Sequence, residues 1–405
     1  MSKILYRWRR IVPVTALVVA IAACQEKLSA PADCPALCPG GVQLRDTVLA
    51  PIVDGDTSFS GYRTAGQGSS LRVSYQFAAS EDRAVIRFGP RSDSVVVGDT
   101  TIPYTSLDSI QFAFSLLKRD TSVTGLKIFI YRLPPTVDST TTFAQVDAAF
   151  VPTAIVDSFV VADTSKTQRF SRVYSGAGLV PWVIQAADSG VLALGFQIRA
   201  VSGTGVRIGG VGAGSSGPTF SNFTTAPSDT TTVTRVLSPA IRFNTFVSQG
   251  TPANNIDELT IGGAPSSRAI IRFPWPSYLR DSAQIVRATL ELTPLAPFPG
   301  LATDTAFLQV RPVLADFGSK SPGTTDAFFI GVGNLLPGAS DTVRIEVRRA
   351  LALWQGANPL PSVFILQLFP EVSSFTRALF GSTRTPASQA RLRITYALPY
   401  PFEAP

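Results

Sequence analysis

From residue 44 onward the chain is built of short runs in which apolar and polar positions alternate, each closed by Gly, Pro, Asp, Ser or Thr. SLRVSYQF (70–77), RAVIRF (83–88), SIQFAFSLL (109–117), LKIFIYRL (126–133), SFVVA (158–162) and VLALGFQIRA (191–200) occupy the first half. ELTIGG (258–263), RAIIRF (268–273), VRATLELT (286–293), AFLQVRPVL (306–314), TVRIEV (342–347), SVFILQLF (362–369) and ARLRITYAL (390–398) occupy the second. Alternation at period two with β-branched and aromatic enrichment predicts strands, and many short strands between turn signals predict an all-β sandwich or barrel. One stretch breaks the rule. In IEVRRALALWQG, Val347, Ala350, Leu351 and Trp354 fall on one face of a helix that Gly356 can stop.

The runs repeat. RAVIRF returns as RAIIRF 185 positions later, and the runs after it return in the same order. SLDSIQFAFSLL corresponds to SAQIVRATLELT, LKIFIYRL to AFLQVRPVL, and VPWVIQAADSGVLALGFQI to ALALWQGANPLPSVFILQLF, with Trp182 opposite Trp354. The ends correspond loosely, FSNFTT with RLRITYAL. A copy of this length suits a self-standing domain rather than a solenoid unit. The expected fold class is therefore two tandem antiparallel, jelly-roll-like β-sandwiches at 45–226 and 235–400, joined by a Thr-rich linker at 227–234. Within each repeated strand, Ala269, Ile271 and Phe273 share one face and Arg268 and Arg272 the other, as do Ala84, Ile86 and Phe88 against Arg83 and Arg87.

The second copy, NTFVSQGTPANNIDELTIGG, RAIIRF, SAQIVRATLELT, DTVRIEVRRALALWQG, SVFILQLF and FGSTRTPASQARLRITY, resembles the DNRLRE (disaggregatase-related) domain, a family also treated as a carbohydrate-binding module. The resemblance covers residues 243–397 well and 45–224 more loosely. It departs after the RAIIRF strand, where this chain carries FPWPSYL, and the first copy lacks the terminal tyrosine. The resemblance implies a sandwich fold and, more weakly, a glycan ligand.

The first residues alter the picture. MSKILYRWRR is a positive leader, followed by an apolar run of 13 residues, too short for the ~20 residues of a spanning helix. Ile21-Ala22-Ala23-Cys24 resembles a bacterial lipobox, which implies a signal peptide at 1–23 and lipid attachment at Cys24. Gln25, rather than Asp, after that cysteine implies sorting to an outer membrane, periplasmic or surface-facing, with membrane contact through the lipid anchor. Residues 24–44 read as a Pro/Gly-rich tether, in which Cys34 and Cys38 are a possible disulfide.

The net charge of +7 falls to +3 once Lys3, Arg7, Arg9 and Arg10 leave with the leader, and no basic run survives elsewhere, so no nucleic-acid partner is expected. There is no histidine, which excludes Ser-His-Asp and Cys-His nucleophiles and imidazole metal sites. Asp257 and Glu258 lack a facing partner for glycoside hydrolysis. Asp54 and Asp56 around Gly55 offer either the start of a calcium site or a turn pair. A non-catalytic protein with no cofactor and no metal is expected.

Candidate ligand-binding residues are Trp275 and Tyr278 in the proline-flanked FPWPSYL turn, with Arg268 and Arg272 beside them. A rigid turn presenting two aromatic rings suits a sugar face, and paired guanidinium groups suit an acidic polysaccharide. The alternatives are edge packing for Trp275 and cross-strand acidic partners for the arginines. Two function classes remain: an envelope-anchored polysaccharide binder, and a structural or adhesive surface protein whose sandwiches bind proteins or act as spacers. Oligomeric state is open.

Overall fold

The computed structural model describes residues 44–398 except 62, 78–80, 91, 104–105, 184–190, 228–231, 250–253 and 322–327. The leader, the tether and Cys24, Cys34 and Cys38 lie outside the described residues.

The chain opens with β1 (Leu44–Leu49) and β2 (Thr57–Ser60), then β3 (Ser70–Tyr75) and β4 (Asp82–Phe88). A small hairpin, β5 (Ser94–Val97) and β6 (Thr100–Pro103), leads to the long β7 (Ser106–Arg119) and β8 (Lys127–Leu133). Helix α1 (Phe143–Asp147) precedes β9 (Ile155–Val160), β10 (Gln168–Ser175), β11 (Leu192–Arg199) and β12 (Thr204–Gly209). β13 (Thr219–Pro227), β14 (Thr232–Leu237) and β15 (Ile241–Ser248) close the first half. The second half runs β16 (Glu258–Gly262), β17 (Ser267–Arg272), β18 (Gln284–Leu292), β19 (Ala306–Pro312), β20 (Gly331–Leu335) and β21 (Val343–Glu346). Helix α2 (Arg348–Gln355), β22 (Val363–Phe369), β23 (Arg377–Gly381) and β24 (Arg391–Ala397) complete it.

The fold is all-β and sandwich-like, as the alternating pattern predicts. In the first sandwich, a sheet ordered β14-β13-β7-β12-β3, with β10 also on β7, faces a sheet ordered β15-β4-β11-β8-β9. Ile86, Phe112, Ile128, Phe196 and Val206 meet between them. In the second, β1-β24-β18-β21 faces β20-β19-β22-β17-β16-β23, with β2 also on β17. Ile271, Leu290, Leu308, Leu366 and Ile394 fill that core. The duplication is visible in the pairing: β4 and β17 take the same place, as do β7 and β18, β8 and β19, β11 and β22, β13 and β24. Trp182 and Trp354 are both buried, as expected of core positions, each against aromatic neighbours of its own sandwich.

Helix α2 buries Ala350, Leu351 and Trp354 along the predicted face. Helix α1 has no counterpart among the sequence expectations: its signature is Thr142 and Gln145, which cap it reciprocally over a single turn.

The repeat boundaries at 45 and 235 do not follow strand membership. β1 pairs with β24 from Leu44 opposite Ala397 to Leu49 opposite Leu392, and β2 pairs with β17. Both belong to the second sandwich. Conversely, β14 turns back on β13, with Pro227 opposite Thr232, and β15 lies along β4, with Ser248 opposite Asp82. Each copy's opening strand pair thus completes the other copy. The physical reason is closeness in sequence: β13 and β14 form the nearest hairpin, which seats β14 and β15 on the first sandwich. The equivalent edge beside β24 is filled by β1 from the far end of the chain. Pro227 and Thr232, at the two ends of the predicted linker, therefore pair within a sheet of the first sandwich.

Candidate functional site

The RAIIRF strand divides its side chains as alternation requires. Ala269, Ile271 and Phe273 are buried in the second core, while Arg268 and Arg272 leave by the opposite face. That outer face is not open. Ile270 is buried there with Val313, Val363 and Ile365, and Phe59 of β2 packs against them. Arg268 donates from Nε and Nη2 to the two carboxylate oxygens of Glu371 at 2.6 and 2.8 Å. Arg272 grips Asp316 in the same forked way, at 2.6 Å from Nε and 2.6 Å from Nη2, and its Nη1 donates to the Gly55 carbonyl at 2.8 Å. The hydrogen bond from Arg272 is the main reason the Asp316 carboxyl is held down at about 2, and it raises the Arg272 guanidinium in turn. Bidentate contacts of this kind hold geometry as well as charge. Of the two readings of the arginines, the structure places acidic partners on both.

Trp275 lies between Pro274 and Pro276 just after the strand. Its ring is partly buried against the second core and meets Trp354 edge to face, with centroids 5.2 Å apart. Its Nε1 is buried and has no hydrogen-bond partner among the described residues, so the polar edge of the indole is withdrawn from solvent. Tyr278 is 39% exposed and its ring stands 5.7 Å from that of Tyr396. Gln355 on α2 ties the turn down by donating to the carbonyls of Leu279 and Ala283. The four predicted residues thus form two sets. The aromatics cap the end of the core against α2 and β24, and the arginines hold loops on the outer face.

Asp54 and Asp56 serve the β1–β2 turn. Asp56 is buried and accepts from Thr383 N at 2.8 Å and Thr383 Oγ1 at 2.5 Å, while Asp54 pairs with Arg384 at 2.6 Å. They clamp the exchanged strands to the loop after β23. Among the described residues no three acidic, His or Cys groups gather as a metal site would need.

The exchanged strands contribute to two features that no local pattern announces. The first is a buried polar lock. Arg72 donates from Nε and Nη2 to Asp82 at 3.2 and 2.9 Å, and from Nη1 to the Ser374 carbonyl of the second sandwich at 3.0 Å. Ser74 and, from the exchanged β15, Ser248 also donate to Asp82. The Arg72 guanidinium lies 4.6 Å from the centroid of the Phe375 ring. Further along, Asp304 of the second sandwich takes Arg207 at 2.9 Å and Lys118 at 3.3 Å.

The second feature is a cavity of about 420 Å³ where the chain crosses between the sandwiches. Arg63 and Thr64 from the first crossing, Phe143 from α1, Phe246 from β15, Ser266 from the β16–β17 turn and Val372 after β22 are among its walls. The β16–β17 turn is backbone-limited: Gly262 has φ +81°, and a Cβ there would stand 2.1 Å from Leu368 Cδ1 and 2.6 Å from the Thr376 carbonyl. These wall residues come from separate segments, which is why their sequence carries no signal of the site.

No family model matches this chain, and no curated protein matches its sequence.

Proposed function

We propose that this chain is an envelope-anchored lipoprotein that binds a polysaccharide without acting on it chemically. The observation that carries the reading is the Trp275–Tyr278 turn: two prolines and the Gln355 clamp stiffen it, and it presents a half-buried indole beside an exposed phenol ring. Rings held in this way stack on the apolar face of a sugar at little cost in ordering entropy. The DNRLRE-like order of strands and the lipobox-like junction at Cys24 support the same reading. The expectation of an acidic polymer rests on Arg268 and Arg272. With both bonded to carboxylates, stacking is the main contribution, and binding should depend only weakly on salt.

The second reading, a spacer or adhesive body, draws on the strand exchange and the Arg72–Asp82 lock, which couple the two sandwiches. One experiment separates the two. Retention on a panel of insoluble polysaccharides is measured for the wild type and for Trp275→Ala and Tyr278→Ala. The binder reading expects retention of the wild type and at least a tenfold loss in the variants; a wild type that passes every matrix leaves the spacer reading standing. The anchor is tested separately by labelling with a palmitate analogue, which should mark the wild type and miss Cys24→Ser.

A further inference from the structure

Alternation carries every second residue of β19 and β22 onto the outer face of the second sandwich. Two of those residues are aromatic and stay in water: Phe307 is 37% exposed and Phe369 is 54% exposed. They stand on neighbouring strands in direct register, and on the other side Phe307 lies opposite the exposed Asn334 of β20. The next row along the same face is closed, with Gln309 and Gln367 buried and Arg311 donating to Gln309 at 2.7 Å. β20 is pinned from behind: a Cβ on Gly333 would stand 2.6 Å from Val343 Cγ1 of β21, so only glycine lets the two edges approach this closely. The repeat supplies a control. In the first sandwich the same two places are held by Lys127 and Arg199, which also face each other across neighbouring strands. The strand plan therefore accepts a charged pair here, and the second copy carries two phenyl rings instead. Exposed apolar surface of that kind marks a contact.

We infer that Phe307, Phe369 and Asn334 form a second glycan-binding surface, on which a neutral polysaccharide chain stacks its sugar rings. The inference rests on the carbohydrate-binding reading and gives the chain a contact apart from the Trp275–Tyr278 turn. A sugar ring carries C–H groups on one face, which suit an accessible phenyl ring, and hydroxyls at its rim, which suit an exposed amide that both donates and accepts. Size favours this occupant over a protein. With about 150–250 Å² for a whole aromatic side chain, the exposed parts of the two rings offer about 200 Å². A stable protein interface buries about 800 Å² per partner. Charge points the same way, because the ionisable groups nearest in the chain are already bonded. Asp304 holds Arg207 and Lys118, Glu371 holds Arg268 and Arg63, and Arg311 is buried on Gln309. An acidic sugar would meet rings and an amide here, not a cation.

The test uses the chain from Gln25, which keeps every described strand, and depletion isotherms on cellulose, chitin, mannan and β-1,3-glucan. At least one of these neutral polymers is expected to bind, with affinity at least tenfold weaker in Phe307→Ala and in Phe369→Ala. The double variant Phe307→Lys with Phe369→Arg, which installs the pair that the first sandwich carries, should lose binding. Because the rings are exposed, all three variants should melt at the wild-type temperature. A variant that loses binding only together with a lower melting temperature assigns the rings to packing and overturns the proposal. Binding unchanged in the double variant but lost in Trp275→Ala refutes this surface and keeps the turn. Sedimentation velocity is run alongside: a wild-type dimer that the Phe variants dissociate makes a second copy the occupant and overturns the glycan assignment. A wild type that binds none of the four polymers, nor any other matrix in the panel, brings down the reading beneath both sites.

Discussion

The two sandwiches share a strand plan but are closed in different ways. In the first, β13, β14 and β15 are consecutive, so the strands that finish both sheets arrive next in the chain. In the second, the strand beside β24 is β1, so Leu44 sits opposite Ala397. The same position of the repeated strand also differs in chemistry. Asp82 precedes RAVIRF and forms the buried lock with Arg72, Ser74 and Ser248, whereas Ser267 precedes RAIIRF and lies opposite Ser60. The difference teaches that one strand plan can be completed locally or remotely, and that the copies contribute different charges to their coupling, the first the Arg72–Asp82 pair and the second Asp304.

The largest expected effect comes from that asymmetry. Deleting residues 44–60 should abolish the protected second sandwich, since it exposes the edges of β24 and β17 and removes the Asp56 clamp. The first sandwich should remain folded, because each strand of its two principal sheets lies between Ser70 and Ser248. Hydrogen exchange resolved by segment checks this; equal loss of protection in both halves would show that the copies do not close independently.

Asp82→Asn comes next. Removing the carboxylate leaves the Arg72 guanidinium buried without its ionic partner, a class of change that costs about 3–5 kcal/mol. Urea unfolding gives the value, and Ser267→Ala at the equivalent position should cost far less. A comparable loss at both sites would erase the chemical distinction between the two copies.

Trp275→Ala tests how far the turn belongs to the core. The indole is partly buried against the second core and meets the Trp354 ring edge to face, so about 1–2 kcal/mol of stability should go with it. The sequence by itself allows Trp275 to be a purely exposed platform. Its contact with Trp354 means that stability and ligand affinity must be measured together.

The smallest effect concerns the Arg272–Asp316 pair. The folded-state pKa of Asp316 is held at about 2, below its ordinary value of 3.8. The pair's contribution is therefore present above about pH 4 and fades as the pH falls towards 2. A partly exposed pair of this kind contributes at most about 1 kcal/mol. The stability gap between wild type and Asp316→Asn, taken from urea unfolding at pH 6 and pH 2.5, should narrow at the lower pH. A gap that widens on acidification would contradict the assignment.

Signals confined to one element are the legible ones. Alternation places Ala269, Ile271 and Phe273 inside, and the helical spacing around Trp354 places that ring in the core. The repeat itself identifies equivalent strands in the two copies. These signals survive in a single sequence because side-chain direction is set by the backbone period within one element. Helix α1 escapes such a reading because one capped turn has no period to detect.

The sequence alone determined the class of fold, the duplication, and which face of each strand turns inward. Tertiary structure decided which edges meet. The amide and carbonyl groups along a strand edge are chemically the same in β1, β14 or any other strand, so nothing in LRDTVL names β24 as its partner. Proximity, loop length and the fit of apolar faces make that choice. The ion pairs of Arg268 and Arg272, the Ser248 and Ser374 contacts of the Asp82 lock and the cavity at the crossing all depend on it, since each joins residues that are far apart in the chain and meet only once the edges are chosen.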